Sequence, residues 1–491
     1  MNSLVSKSGK GVLMAVAAIA GMLFTAGCGS SSNSITPLGG GFSASSLKGQ
    51  YVMQQTGTGL NQTATSNDPF SETTVFTADG QGNLNILVDD FDQDGQQFIV
   101  ALPETGTYTI NSDGRGSLSF GEALYAITLI DDNHFYLIER DTFATSSGYG
   151  QTQDTSAFTA APSGTFVFKA HNLDTSSRVG QMMISGGAVS GTEDFLSLGT
   201  LASTQAIASA VAMSAPSTTT GRGAFKLTDG TSFGYYVVNA NEFYLMSNTS
   251  SLEIGQAETQ TGGPFSAATL ANSSSYVFGS SGDTNVSGSG GIHSAGVFIS
   301  NGAGNTTGGA VDYVQDATLN SNLAVSGGTY TLASDGRGTL NLTLSGGVIS
   351  PQIFWMVTGT RAYFLVNSTL AVEDGSFLLQ QGAPFTGISS QAAFVMDGFD
   401  SAGFKDRVGN FQPAGSAGLN WNQTANSFNG SGVVSFLGTS GTYTVGSNGR
   451  VAAVVNGVTN SVVFYLSSPN TGFLVQEDAD IGGVFAQQAT Q

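Results

Sequence analysis

Hydrophobic and polar residues alternate along most of this chain. In "GTYTINSDGRGSLSF", Gly106 to Phe120, Tyr108 and Ile110 share one face of an extended segment, as do Leu118 and Phe120. Polar residues stand between them, which is the period-two signature of a half-buried strand. Asp113-Gly114 divides the two halves with the positive-φ chemistry of a tight hairpin. The pattern recurs as "GTYTLASDGRGTLNL" at 328 and, worn, as "GTYTVGSNGRVAAVV" at 441. A second region, "STTTGRGAFKL" at 217, keeps only the turn.

The hairpin belongs to a larger repeat. Each unit opens on an aromatic strand at Tyr51, Phe166, Tyr276 and Phe394, spaced 115, 110 and 118 residues apart. A second hairpin follows, "VFTADGQGNLNI" at 75 and "VFISNGAGNTTG" at 297, degenerate in the second unit and faint in the fourth. The Gly-Arg turn comes next, at Arg115, Arg222, Arg337 and Arg450. A closing aromatic strand ends the unit: "HFYLIERD" at 134, "EFYLMSNT" at 242, "AYFLVNST" at 362 and "GFLVQEDA" at 472. A period of this length is a small domain, not a propeller blade or solenoid rung. Seven or eight strands per unit, joined by short turns, predict an all-β chain of four tandem antiparallel up-and-down barrels. A β-sandwich is the alternative. Thr200–Ser214 is alanine-rich enough for a helical turn, but the repeat register places a strand there. The predicted units are 47–160, 161–270, 271–388 and 389–491.

Residues 1–27 read as a signal peptide: Lys7 and Lys10 precede an apolar run from Val12 to Ala26, short for a membrane span. Small residues then lead to Cys28, the one cysteine in the sequence. Residues 28–46 are polar and without periodicity, as a flexible tether is. The segment around Cys28 resembles the bacterial lipobox, with Thr25 in place of the usual leucine. That resemblance implies cleavage before Cys28, lipid on its sulfur and amino group, and membrane attachment through the lipid. Gly29 after the cysteine resembles outer-membrane sorting. The ordered repeat motifs resemble a class of bacterial lipoproteins with tandem β-rich repeats. The resemblance covers nearly all of the chain after the tether and carries membership without any assigned chemistry.

Composition narrows function. The 491 residues carry 14 basic and 34 acidic side chains, a net charge of −20. Without a basic face, nucleic acid is excluded as a partner. One cysteine and three histidines, His134, His171 and His293, leave no zinc site. Asp90, Asp92, Asp94 and Gly95 match the opening of a calcium loop, but position twelve is Ala101 where a bidentate glutamate belongs. Any calcium site would be confined to the first unit; a solvated acidic hairpin tip is the plainer reading, and no other cofactor is expected. Ser232 stands in a G-x-S-x-G match at Gly230–Gly234, followed by a strand pattern instead of the helix that a nucleophile elbow needs. The adjacent acids Glu193-Asp194, Glu373-Asp374 and Glu477-Asp478 should point to opposite faces of their strands, which does not suit paired carboxylate catalysis. His134 reads as a turn residue, and Trp355 and Trp421 as core. The four arginines occupy one slot in one hairpin and read as scaffolding, capping carbonyls or pairing with a carboxylate near a barrel end. The expected protein is a non-enzymatic, lipid-anchored component of the outer cell envelope, a binding or adhesion module with a protein or glycan partner or a structural protein, its repetition supplying avidity and reach. A carrier of small apolar ligands is the alternative, and a carbohydrate-active enzyme stands third.

Overall fold

The computed structural model describes residues 41–60, 67–93, 96–99, 104–141, 143–172, 175–249, 252–284, 290–346, 349–400, 403–428, 434–455, 461–469, 471–476 and 479–489. Its strands form four antiparallel barrels in chain order. In the first, eight strands between Lys48 and Thr152 close into a ring because Asn67–Asp79 pairs both with Lys48–Leu60 and with Asn83–Gln93. A ninth, short strand, Gln96–Ile99, hangs from Asn83–Gln93. The next three barrels, Gly164 to Thr259, Ser274 to Leu379 and Ala392 to Gln487, have eight strands each. Barrels, not sandwiches, resolve the two architectures, and closure removes the free sheet edges. Thr200–Val211 is a strand, as the register requires.

Alternation along the opening strands explains how the barrels fill and how they meet. Tyr51 and Met53, Phe166 and Phe168, Tyr276 and Phe278, and Phe394 and Met396 point inward and are buried. They meet inward-facing aromatics of the other strands; in the last barrel Trp421 lies 4.3 Å from Phe394 and 5.6 Å from Phe411, ring centre to ring centre. Such rings occupy the interiors that an apolar-ligand carrier would need open. A phenylalanine ahead of each barrel (Phe42, Phe158, Phe265 and Phe385) tucks into the same core. Phe42 falls within the segment read as tether and is buried against the first barrel.

The outward-facing residue between each inward pair is a valine: Val52, Val167, Val277 or Val395. These valines lie between barrels. Val52 packs with Tyr236, Val238 and Tyr244 of the second barrel. Val167 packs with Trp355 and Tyr363 of the third, and Val277 with Tyr465 and Phe473 of the fourth. Val395 of the fourth barrel packs against a cluster of Ala126, Ile138 and Val408, which returns the chain to the first barrel. The four units are therefore fused into a closed ring and do not hang as independent beads.

Candidate functional site

Two sets of side chains stand out: repeated polar contacts between barrels, and a cavity where all four barrels converge.

The repeated contacts absorb the Gly-Arg turn. Arg337 of the third barrel reaches Asp194 of the second, with Nε 2.9 Å and Nη2 2.6 Å from its carboxylate oxygens. Trp355 Nε1 donates to the same carboxylate at 2.9 Å. Arg450 of the fourth barrel reaches Asp312 of the third at 2.7 and 2.6 Å, joined by the Tyr465 hydroxyl at 2.5 Å. Arg222 of the second barrel and the Tyr236 hydroxyl both donate to Asp90 of the first. Burial works against ionisation of Asp194 and Asp312, yet the arginine and its companion donors hold both below the usual carboxylate range.

The register explains why the fourth arginine differs. Asp90, Asp194 and Asp312 sit at one repeat position, two strands across from Gln54, Lys169 and Gly279. The matching residue of the fourth barrel is Asn426, cross-strand from Asp406. The aromatic donor beside each arginine is also missing in the first barrel, where Arg115 faces Thr128. Arg115 instead turns back to Asp113 in its own hairpin, 2.8 Å away. Asn426 donates to the carbonyls of Glu139 and Ala144 across the closing seam, at 2.9 and 2.8 Å.

A glutamine clamp is present at all four seams. Gln153, Gln260, Gln380 and Gln488 each follow the last strand of one barrel and donate from Nε2 into the Gly-Arg turn region of the next. Their shortest bonds go to the carbonyls of Val237 (2.6 Å), Met356 (2.8 Å), Leu466 (2.7 Å) and, closing the ring, Leu129 (2.6 Å). The turn glycine is required twice over. At Gly336, φ is +98°, and a Cβ would stand 2.7 Å from Gln260 Nε2 and 3.1 Å from the Phe265 ring.

The calcium expectation falls partly on these clamps. The Asp90 carboxylate is held by Arg222 and Tyr236. Asp92 is buried two residues along the same strand, and Asp94 lies outside the described residues. Among the described residues, no group of three or more His, Cys, Asp or Glu side chains is placed to hold a metal. Cys28 also lies outside the described residues. Ser232 begins a strand, Ser232–Asn239, not an elbow. His134 bonds Asp131 at a turn. Glu193 faces Arg178 inside its barrel while Asp194 faces out, so that acidic pair is split across the sheet.

The second site is a cavity of about 260 Å³ on the ring axis. It is lined by the later halves of the opening strands and by their neighbours on the second and last strands: Gln54 and Tyr149, Lys169 and His171, His293 and Asp374, Asp397 and Asp406. Past the outward valine, the same outward row turns polar. Lys169 Nζ donates to Asp374 Oδ2 at 3.3 Å, and His171 Nδ1 lies 3.2 Å from Oδ1. Burial opposes ionisation of Asp374, but its contacts with His171 and Lys169 hold its pKa down at about 2. Burial pushes Asp397 up to about 6, with Asp374 adding to the rise. Asp406, bonded by Thr145, is raised well above the usual range by burial. Burial lowers His293 to about 4, and its Nδ1 has no hydrogen-bond partner. Sequence reading missed this set because its members come from different repeats. The available signal was a fixed outward valine followed two residues later by Gln54, Lys169, Gly279 or Asp397.

These shifts fix a pH dependence. Glu193 and Glu373, inside the second and third barrels, are raised to about 7 by burial. A carboxyl raised on folding binds its proton more tightly in the folded chain, so stability falls as pH climbs from about 4 through 7. Asp374, Asp194 and Asp312 are shifted down, and their contribution is lost as pH drops below about 4. The melting temperature should therefore peak near pH ~5 and decline toward ~8. Glu373→Gln, which can keep the bonds to Ser280 and Ser294, should flatten that decline. Calorimetry across pH reads it; a melting temperature rising steadily to pH ~8 would contradict the assignment.

Comparison with known proteins gives no family model and no curated relative that matches. Among solved structures, the chain is similar to transferrin binding protein B from Haemophilus parasuis Hp5, a tryptophan-to-alanine mutant, at 8% identity. That match covers 70% of this chain and 79% of the other, with a TM-score of 0.19. The isotype 1 protein from serogroup B Neisseria meningitidis is similar at 9% identity, over 68% and 77%, with a TM-score of 0.20. At these TM-scores the likeness carries no argument about what this chain binds.

Proposed function

We propose that this chain is a lipid-anchored, non-catalytic binding protein of the bacterial cell envelope, and that its ring of four barrels is a rigid frame for one axial site. The observation that carries the reading is convergence. The opening strands of all four barrels deliver polar side chains to a single cavity, where burial and neighbouring charges shift their protonation. Binding is favoured over catalysis because Lys169 and His171 are both engaged by Asp374, and Ser232 is embedded in a strand. The fused ring also favours one composite site over four separate adhesive modules, since avidity needs modules that engage independently. A protein or glycan would approach the same axial face.

The anchor rests on Cys28 and the signal before it. Cys28→Ser should abolish incorporation of labelled palmitate and move the protein from the membrane to the soluble fraction. Retained label would overturn the anchor without touching the axial site, and the soluble variant provides material for binding measurements.

A further inference from the structure

We propose that the axial cavity binds a small organic ammonium compound, with the Asp397 carboxylate as its counter-ion. This rests on the reading of the cavity as a binding site and adds the class of ligand.

The assignment follows from which charges in the cavity are already satisfied. The one lysine of the cavity is spoken for: Lys169 donates to Asp374 and also lies over the Tyr363 ring, 5.8 Å from its centre. His171 shares the same carboxylate. An anionic ligand would have to compete with Asp374 for both. Among the acids, Asp374 is matched by Lys169, Asp406 is bonded by Thr145, and Asp283 is itself engaged. Asp397 lines the cavity, and its carboxylate makes no side-chain hydrogen bond among the described residues. Lys169 and His171 act on that carboxylate without touching it, so a closer counter-charge would be favourable. His293 supplies a second, independent sign of a missing partner. It is 2% exposed, lines the cavity, and has an unpartnered Nδ1. A ligand with one positive charge and one hydrogen-bonding group answers both needs.

Size and lining separate an organic cation from a bare metal ion. About 260 Å³ far exceeds one ion, and among the described residues no three ligating side chains converge on a point. Phe399 and Phe404, with ring centres 4.1 Å apart, line the fourth-barrel side. Aromatic edges and faces suit an alkylammonium better than a hydrated metal. The net charge of −20 also draws cations toward the ring.

The test uses ethanolamine as the probe, with ethylene glycol as its uncharged counterpart and acetate as an anion. Binding to the soluble ring is read by ligand-observed NMR. Ethanolamine should bind with a Kd in the low millimolar range or better, about what four heavy atoms can supply, and the other two should not. Asp397→Asn should weaken binding at least about tenfold, as loss of one ion pair in a closed site does. Lys169→Met, which takes away the lysine partner of Asp374, should strengthen it. Opposite signs from two neighbouring substitutions would not follow from a merely structural role. Equal binding of ethylene glycol would overturn the ammonium class and leave the cavity as a polyol site. Displacement of ethanolamine by calcium, restored by EDTA, would overturn it in favour of a metal. No binding by any probe would overturn this assignment and leave the axial face to a protein or glycan.

Discussion

Arg337→Ala should destabilise the ring by about 3 kcal/mol, and Asp194→Asn should offset part of that loss while leaving the loss from Arg115→Ala, the same residue of the same repeat motif, unchanged. Asp194, the partner of Arg337, is fully buried, and Arg337 itself is 21% exposed. Removing the arginine leaves the carboxylate between two barrels with donors only from Trp355, Ser203 and the Thr204 amide. An unpaired buried charge is the expensive outcome of breaking an ion pair. Arg115 crosses no seam: it pairs with Asp113, two residues away and itself buried, so its loss strands a different carboxylate. Arg450→Ala should behave like Arg337→Ala. Two further consequences identify the cause. The deficit should shrink at pH ~4, where an abandoned Asp194 can take up a proton. Adding Asp194→Asn should recover part of it, because the buried charge goes with the arginine. Urea unfolding followed by Trp355 fluorescence measures all of these. No recovery of Arg337→Ala by Asp194→Asn would mean that the arginine stabilises its own hairpin and not the seam.

That asymmetry marks the boundary of what the sequence could show. The barrel class was legible because inward and outward faces alternate locally, and four copies of a motif at a domain-sized period leave little other choice. The scaffolding role of the arginine was legible from its recurrence, but its partner was not. Asp90, Asp194 and Asp312 lie 132, 143 and 138 positions from their arginines. Each belongs to the preceding unit, and only strand register shows that they are one position. Asp90 was also drawn into a calcium-like D-x-D-x-D run, where spacing along the chain counted for more than the face each carboxylate takes. The glutamines after each last strand were hidden because they bond through a single amide, with no patterned neighbours. The axial cavity was least legible. Symmetric sites announce themselves by repetition, whereas here one outward slot carries Gln54, Lys169, Gly279 or Asp397. Even the glycine has a packing reason: a Cβ on Gly279 would stand 2.2 Å from the Phe473 ring of the fourth barrel.

Gln488→Ala should open the ring at one seam without unfolding any barrel. All four glutamine clamps make the same pair of bonds, but the seam between the fourth and first barrels is otherwise bridged by amides and a hydroxyl, with no ion pair of the arginine kind. Its arginine clamp is absent, since Asn426 stands where the acid would be. Its apolar cluster is also the smallest, with Ala126, Ile138 and Val408 as its buried members. The Gln488 amide bonds the carbonyls of Leu129 and Asp113 at 2.6 and 3.1 Å. Asp113 keeps Asn410 and Gln391 as donors, so the cost falls mainly on Leu129, about 2 kcal/mol for a buried carbonyl left unmade. Gln260→Ala removes the same bonds at a seam where Arg337, Trp355 and Asp194 remain. Amide hydrogen exchange separates the two cases. In Gln488→Ala, exchange in Ala123–Leu129 and in Gly403–Ala414 should speed up by about thirtyfold, the equivalent of that free energy. The interior strands of the second and third barrels should stay protected. In Gln260→Ala, the acceleration at its own seam should be several times smaller. Equal acceleration at both seams would mean that the arginine clamps do not hold the ring, and that closure rests on the apolar contacts alone.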